Sequence, residues 1–447
     1  LALLYDRTKQ TGRAIYFYEK ADSLYEESLQ GEYDNIYLEF LSNVALFYAE
    51  LGEPKTAVAK AQKGYNYVVK TQGSETLLAF QQLLNLSEVY YLTGNYRKSL
   101  SYSEQGLQVL RVAMQSGNNL LDSVRMELKK PKAVLLKVRA EYQILPKKDT
   151  INLTPLADEL NTALTILERR KSALTDAGDI ELVIIEHSDL VDFAKKINFE
   201  LYKLTNNKKY LDRVMGLHES GLYNRIRSRL DKNDSLQFAK IPIQTQILEK
   251  QLKLAVSGAL KSERLQEEKI SDYFRAVEDW NNYLEQLRAE YPDYYTMRYS
   301  SIFKNMGQIQ QSVPENTSLV RYFFIGKELF ALVADNSTRQ IFSIETDSLE
   351  ENISFLSEHG FEVGETSAAL YDLYQQLWLP FSESIHHNQV IIIPDGVLFN
   401  LNFEILTPQK INSFKELLTK SLLADYTFPY QYSLLLLNRD NKSSGII

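Results

Sequence analysis

Residues 42–64, SNVALFYAELGEPKTAVAKAQKG, decide how the chain is read. Ala45, Tyr48 and Leu51 lie three apart, on one face of a helix. Leu51-Gly52-Glu53-Pro54 then interrupts that helix. Glycine tolerates the positive φ of a helix C-cap, and proline suits the first turn of the next helix. Ala57, Ala61 and Gly64 follow at spacings of four and three, small enough for two antiparallel helices to approach closely. Residues 85–106, NLSEVYYLTGNYRKSLSYSEQG, repeat the plan, with Ser87 and Tyr90 before Thr93-Gly94-Asn95-Tyr96, and Ser99, Ser103 and Gly106 after it. Tyr5, Tyr48 and Tyr90 stand 43 and 42 positions apart, as do Ala14, Ala57 and Ser99, then Ala21, Gly64 and Gly106, and Ala2, Ala45 and Ser87. A period between about 20 and 50 residues denotes stacked supersecondary units, none of which buries its apolar face alone. Stacks of this kind hold partners more often than they do chemistry.

The order small, large, glycine turn, small, aromatic, small resembles the tetratricopeptide pattern. That family's unit is about 34 residues. The extra residues here add about one turn to each helix, at ~3.6 residues per turn. The first unit lacks a glycine at the matching turn, Gly12 being offset by a few residues. Later units are degenerate: Tyr202, Leu211, Met215 and His218 keep the offsets of Tyr48, Ala57, Ala61 and Gly64, and Lys208 to Leu217 is expected to be a helix after the Thr205-Asn206-Asn207 turn. Between 108 and 200 the helices continue, with a polar insertion near Pro146 to Pro155. From Gln244 to Tyr291 the stripes Ile247, Leu248, Leu252, Leu254 and Tyr273, Val277, Trp280, Tyr283, Leu284, Leu287 predict long amphipathic helices packed on one another. Asn43 and Asn85, 42 apart, fall on first helices. An amide side chain both donates and accepts, so such a ladder would hold the backbone of an extended peptide.

After Pro314 the pattern changes from helical to alternating. Leu319 to Ile325, Glu328 to Val333 and Arg339 to Ile344 read as three strands, separated by the turns Gly326-Lys327 and Asp335-Asn336-Ser337. They predict an antiparallel meander. Two helices are expected next, over about Ser348–Glu358 and Ser367–Ser384, the second with Leu370, Leu373, Tyr374 and Leu377 on one face. Val390-Ile391-Ile392-Ile393 then reads as a strand buried on both faces, stopped by Pro394-Asp395-Gly396.

Helical repeats come first, then Glu290-Tyr291-Pro292, Tyr294-Tyr295 and Met297-Arg298-Tyr299, and then the meander. Ile392-Ile393-Pro394-Asp395-Gly396 follows, with Leu398, Leu401, Phe403, Glu404 and Leu406, and later Tyr430, Tyr432 and Ser433. Together these resemble bacterial TPR–CHAT proteins, in which tetratricopeptide repeats precede a caspase-like domain distantly related to separase. The likeness covers nearly the whole chain. Pro394, Asp395, Gly396, Phe403 and Glu404 would be structural motif positions. The family usually has proline where Asn402 stands, which loosens that turn. The resemblance implies a cysteine-peptidase fold, with a His-Gly pair and then a cysteine after the Tyr-Ser segment. No position here matches either, so no catalytic residue is assigned. The chain reads as a fragment of a longer protein, starting at Leu1 within a helix and stopping at Ile447 before the reactive groups.

The expected architecture is mainly α: tetratricopeptide-like repeats over 1–235, long connecting helices over 236–312, and the N-terminal part of the α/β caspase-like domain over 315–447. The expected function is a protein- or peptide-binding scaffold on a peptidase domain whose chemistry lies beyond this chain, in bacterial signalling or defence. The alternative is a non-catalytic scaffold with a degenerate α/β end. The truncated sheet is expected to leave Val390–Ile393 with an unpaired edge, a source of aggregation.

Composition limits the alternatives. The 447 residues are ample for two cores, and 44% apolar with 24% charged residues describes an ordinary globular chain. A net charge of −8 argues against a nucleic-acid footprint. No apolar run approaches the ~18 residues of a membrane span. With no cysteine, disulfides and thiolate chemistry are excluded within these residues, and a reducing, cytoplasmic setting is expected. No metal or cofactor site is expected. His359-Gly360 precedes the buried strand and suits a helix end. His187-Ser188-Asp189 fan around a helix and cannot converge. His386-His387 lacks ligands at metal spacing, and Glu267-Glu268 reads as a solvated helix face.

Overall fold

The computed structural model describes residues 1–116, 120–173, 182–183, 185–232, 241–261, 270–292, 294–295, 299, 313–359, 362–434 and 437. Met297, Arg298, Gly360 and the Glu267-Glu268 pair lie outside them. The chain is mainly α, with one four-stranded mixed sheet. Its long helices run α1 (Ala2–Arg7), α2 (Thr11–Leu29), α3 (Asn35–Glu50), α4 (Pro54–Gln72), α5 (Leu77–Leu92), α6 (Tyr96–Ser116), α7 (Leu120–Ile144), α8 (Thr150–Ala173), α9 (Ser188–Thr205), α10 (Lys208–Lys232), α11 (Ile243–Lys261) and α12 (Ile270–Glu290). Two compact units form, each from two stretches of chain: Leu1–Thr175 with Pro242–Tyr283, and Asp176–Ile241 with Leu284–Ile447.

In the first unit the period becomes repeated geometry. Asp34 caps α3 by accepting from Tyr37 N–H at 2.7 Å, and Thr76, 42 residues on, caps α5 by accepting from Ala79 N–H at 3.2 Å. Each first helix ends in the same pair of backbone bonds. Glu53 N–H donates to Tyr48 O (2.9 Å) and Gly52 N–H to Ala49 O (3.2 Å); Asn95 N–H donates to Tyr90 O (2.8 Å) and Gly94 N–H to Tyr91 O (3.1 Å). Gly52 and Gly94 sit at φ of 82° and 79°, where a side chain is disfavoured. The unit without a glycine makes the same turn: Gln10 N–H reaches Tyr5 O at 2.8 Å, and Lys9 takes the left-handed position at φ 60°.

Small residues set the helix spacing. Ala45, Ala57 and Ala61 are almost wholly buried. A Cβ on Gly106 would stand 3.2 Å from Leu84 Cδ2, and one on Gly64 would stand 2.7 Å from Gln82 Oε1. Where one unit pairs Ala45 with Ala57, the next places Ser87 and Ser99, and the buried Ser87 hydroxyl donates to Ser99 O at 2.8 Å. Consecutive helices pack on each other, and α3, α5 and α7 also stack in series. Between α2, α3 and α4, Tyr37 OH donates to Asp22 at 2.7 Å, and Lys60 and Lys63 pair with Asp22 and Glu26. Trp280 of α12 donates to Ser172 Oγ at 3.3 Å, and Tyr283 OH to Thr245 O at 3.1 Å, fixing α12 beside α8 and α11.

In the second unit, β1 (Thr317–Ile325), β2 (Glu328–Ala334) and β3 (Arg339–Ile344) form the expected meander. Helices α13 (Leu349–His359) and α14 (Val363–Leu377) follow, and β4 (Gln389–Ile393) pairs parallel with β1, giving the order β3-β2-β1-β4. The second expected helix ends at Leu377; Leu379–Ser384 is a 3-10 turn, because Pro380 cannot donate to an α-helical ladder. Both faces of the sheet are covered. Val320, Tyr322, Val390 and Ile392 pack with Leu349, Ile353, Leu370 and Leu373 of α13 and α14. Leu319, Phe323, Ile391 and Ile393 point the other way and pack with Phe199, Leu211, Val214 and Met215 of α9 and α10. Helices α9 and α10 therefore cover a sheet, and their large residues Phe199, Leu211 and Met215 fill the contact.

The outer edge of β4 is paired, contrary to the expectation. Residues 427–431 run parallel to it: Val390 N–H donates to Thr427 O (2.9 Å), Ile392 N–H to Pro429 O (2.9 Å) and Gln431 N–H to Ile392 O (3.0 Å). These five residues suffice, bridged at Gln389–Thr427 and Ile392–Tyr430, since one short segment satisfies alternate backbone groups of the strand.

Replacing Lys9 by glycine should raise stability by about 1 kcal/mol, and Gly94→Ala should lower it by a similar amount, because an L-side chain in the left-handed region costs ~1–2 kcal/mol. Urea unfolding monitored by helix ellipticity measures both; an unchanged midpoint for Lys9→Gly would show that the turn is not strained.

Candidate functional site

Arg321 interrupts the apolar run of β1 and is wholly buried. Strand alternation sends it to the face that carries Leu319 and Phe323, the face that α9 and α10 cover. There its Nε donates to Glu219 Oε1 at 2.9 Å, and both side chains are fully excluded from solvent. Its Nη1 donates to Tyr322 O (2.8 Å), Pro394 O (2.7 Å) and, more weakly, Ile393 O (3.3 Å). One guanidinium thus ties helix α10, strand β1 and the end of strand β4. The second Glu219 oxygen accepts from Ser433 Oγ (2.5 Å) and from Leu434 N–H (3.0 Å), which brings in the chain after the 427–431 pairing.

The neighbouring helix residue extends the cluster. His218 Nε2 lies 3.4 Å from Asp395 Oδ2, and its ring meets Phe323 edge-on. Asp395 Oδ2 accepts from Phe324 N–H (2.8 Å), and Oδ1 from Gly396 N–H (3.0 Å). Burial, followed by the charge of Arg321, pushes the His218 imidazole below its ordinary value, against the opposing pull of Asp395. His218 is therefore neutral near neutral pH. Burial alone would raise the Asp395 carboxyl; the facing His218, the Arg321 charge and the Phe324 N–H outweigh it and hold it well below the usual range.

This cluster sits at the C-terminal end of parallel strands, where α/β folds place their ligands. Its chemistry is that of a clamp. Ser433 donates to Glu219 while His218 faces Asp395, so serine, imidazole and acid are divided between two partners and form no hydrolytic relay. Sequence singles out Ser433 within the Tyr-Ser segment, but neither Arg321 nor Glu219. The available signal was a charge inside an otherwise apolar strand, which is seldom placed there without a buried partner.

Of the motif residues named from sequence, Pro394, Asp395 and Gly396 adjoin the clamp, while Phe403 packs on the other face of the sheet. Pro394 gives its carbonyl to Arg321 and Asp395 its carboxylate to the β1 backbone. Gly396 has φ 54°, and a Cβ there would lie 3.1 Å from the Phe324 ring. Phe403 is buried and stacks on Tyr322 at 5.1 Å. Its N–H donates to Tyr430 OH (2.8 Å), which in turn donates to Glu404 Oε2 (2.5 Å). Asn43 and Asn85 differ in surroundings: Asn43 is exposed on α3, whereas Asn85 is buried on α5 and donates to Ser42 O at 3.1 Å.

Three further histidines have structural places. His187 is the residue before α9, and His359 ends α13. His386 Nδ1 lies 2.9 Å from Asp335 Oδ2, while Asp335 Oδ1 accepts from Ser337 and Thr338 in the β2–β3 turn. Burial tends to raise the Asp335 carboxyl, but His386 and these donors hold it far below its usual range. A cavity of about 600 Å³ is lined by Glu345, Asp347, Asn352, Asp372 and Gln376 among others. Its three carboxylates are exposed, and no metal-type cluster occurs among the described residues. No helix among them is long and apolar enough to cross a membrane.

No protein-family model matches this sequence, and no curated protein matches it.

Glu219→Gln would leave the Arg321 charge buried without its counter-ion, and should cost about 3–5 kcal/mol in denaturant unfolding. The double change Glu219→Leu with Arg321→Met should recover most of that loss; a double variant as unstable as the single would show that the polar bonds themselves are required. Stability should also fall in two acid steps. Below about 6.5 the unfolded chain protonates its histidine while folded His218 resists, and below about 3.9 the same holds for Asp395 and Asp335. Unfolding free energy measured between pH 8 and 3 tests the order of these steps.

Proposed function

We propose that this chain is a protein-binding scaffold of the TPR–CHAT kind: helical repeats that hold a protein or peptide partner, attached to an α/β unit of caspase-like architecture. The observation that carries the reading is the pairing of a 42–43-residue helical period with a sheet in which β1 and the 427–431 segment flank the β-branched strand β4, ahead of a Pro-Asp-Gly turn. Repeated helix pairs with shared caps and shared left-handed turns create a continuous series of first helices, the arrangement that presents side chains to an extended ligand. Asn43 is the exposed amide of that series. Asn85 supports it from behind through its bond to Ser42 O. Within these residues the α/β unit supplies a positioned strand end, and in this reading the catalytic histidine and cysteine of the caspase-like domain lie outside them.

A library of linear peptides displayed on phage and selected on the whole chain tests the binding reading. Selected peptides should bind in fluorescence anisotropy, and Asn43→Ala should weaken them by about fivefold, the equivalent of one lost hydrogen bond of ~1 kcal/mol. Failure of any linear peptide to enrich over bare support would defeat it. The same preparation should show no turnover of fluorogenic peptides.

A further inference from the structure

The clamp contains a group that its own bonding leaves unfinished. His218 is buried, and its Nδ1 has no hydrogen-bond partner; its Nε2 only approaches Asp395, at 3.4 Å. Two positive charges face it, Arg321 of β1 and Lys195 of α9, against one carboxylate, Asp395 at the end of β4. That carboxylate already accepts from Phe324 and Gly396 N–H groups. Glu219, next to His218 on α10, is taken up by Arg321, Ser433 and Leu434. Lys195 for its part pairs with Asp192 on its own helix at 2.9 Å. A proton added to His218 would therefore sit in a dry site, opposed by Arg321 and Lys195 and faced by a carboxylate already shared with two backbone N–H groups, and moving α10 outward into water is the way to relieve it.

We propose that His218 and Glu219 make α10 an acid-sensitive latch on the strand-end face, so that protonating His218 loosens the 394–396 turn and the 433–434 segment together. The two are coupled because the same turn of α10 holds both: His218 faces Asp395, and Glu219 holds Ser433 and Leu434. Arg321 links them through Pro394 O. Strands β2 and β3 take no bond from the His218–Glu219 turn and stay paired; α10 holds β3 separately, through Asp212, which accepts from Arg339 Nη1 at 2.7 Å. The inference stands on the geometry of the α/β unit and does not depend on what the repeats bind.

Amide hydrogen exchange on the whole chain, corrected for the intrinsic pH dependence of exchange, tests it. Three amides report directly, since Phe324, Gly396 and Leu434 all donate into the cluster. Between pH 7 and pH 5.5 their corrected rates should rise together by about eightfold, the ratio expected for an open state whose imidazole titrates near 6.5. The amides of Leu332 and Val333 should not follow. His218→Gln, which cannot take up the proton, should abolish the rise. Unchanged rates, a rise that persists in His218→Gln, or an equal rise in β2 would each overturn the proposal. Should His218→Gln fail to fold, NMR titration of the imidazole in the unaltered protein decides: a ring still neutral at pH 5.5 supports the latch, and a midpoint at or above about 6.5 overturns it.

Discussion

A guanidinium buried in the middle of a sheet must be answered by the rest of the fold. Removing such a charge from water costs several kcal/mol even after relaxation, and a counter-ion with hydrogen bonds to Nε and Nη1 offsets it here, while Nη2 has no hydrogen-bond partner among the described residues. Around Arg321 the answers come from three directions: Glu219 on α10, the carbonyl of Tyr322 on its own strand, and the carbonyls of Ile393 and Pro394 at the end of β4. Each fixes a different element. Helix α10 cannot slide along the sheet without stripping the charge, and β4 cannot slip in register against β1 without withdrawing its carbonyls. The apolar contacts of Leu211, Val214 and Met215 supply attraction without direction, and the ion pair supplies the direction.

The same sequence phrase is used in two ways along the chain. In the first unit, the offsets after a tyrosine hold Ala57, Ala61 and Gly64, and the helices lie close enough for a glycine Cβ to clash. At α9–α10 those offsets hold Leu211, Met215 and His218, and a sheet takes the place of the next helix pair. Layers of helix on sheet stand farther apart than small-residue helix contacts, so bulk is required where smallness was. His218 then reaches the strand end from the position that glycine occupies in the repeat.

The elements that sequence made legible were those with a local cause. Period and glycine turns located the helix pairs, alternation located the meander, and four β-branched residues in a row located β4 as a strand buried on both faces. The Lys9 turn was half legible: the matching glycine was missing, yet the backbone bonds from Tyr5 impose the same conformation. The clamp was not legible, because its meaning depends on partners brought together only by the fold. Glu219 lies just past the helix expected over Lys208–Leu217, and only the sheet packed on α10 gives it a role. The covered edge of β4 was missed for a similar reason: 427–431 is rich in aromatic and proline residues, and its pairing arises from neighbouring backbone groups rather than from an alternating pattern.

The pairing of Glu219 with Ser433 spans 214 positions. A ribosome delivers these two residues at widely separated times. Through that interval α9 and α10 present Leu211, Met215 and an unanswered carboxylate to the surroundings, and β1 emerges with its arginine before the carbonyls of β4 exist. Contacts so distant in sequence make for slow closure and prolonged exposure of apolar surface. The sheet-facing side of α10 thus stays uncovered in the nascent chain until β4 and residues 433–434 have been made.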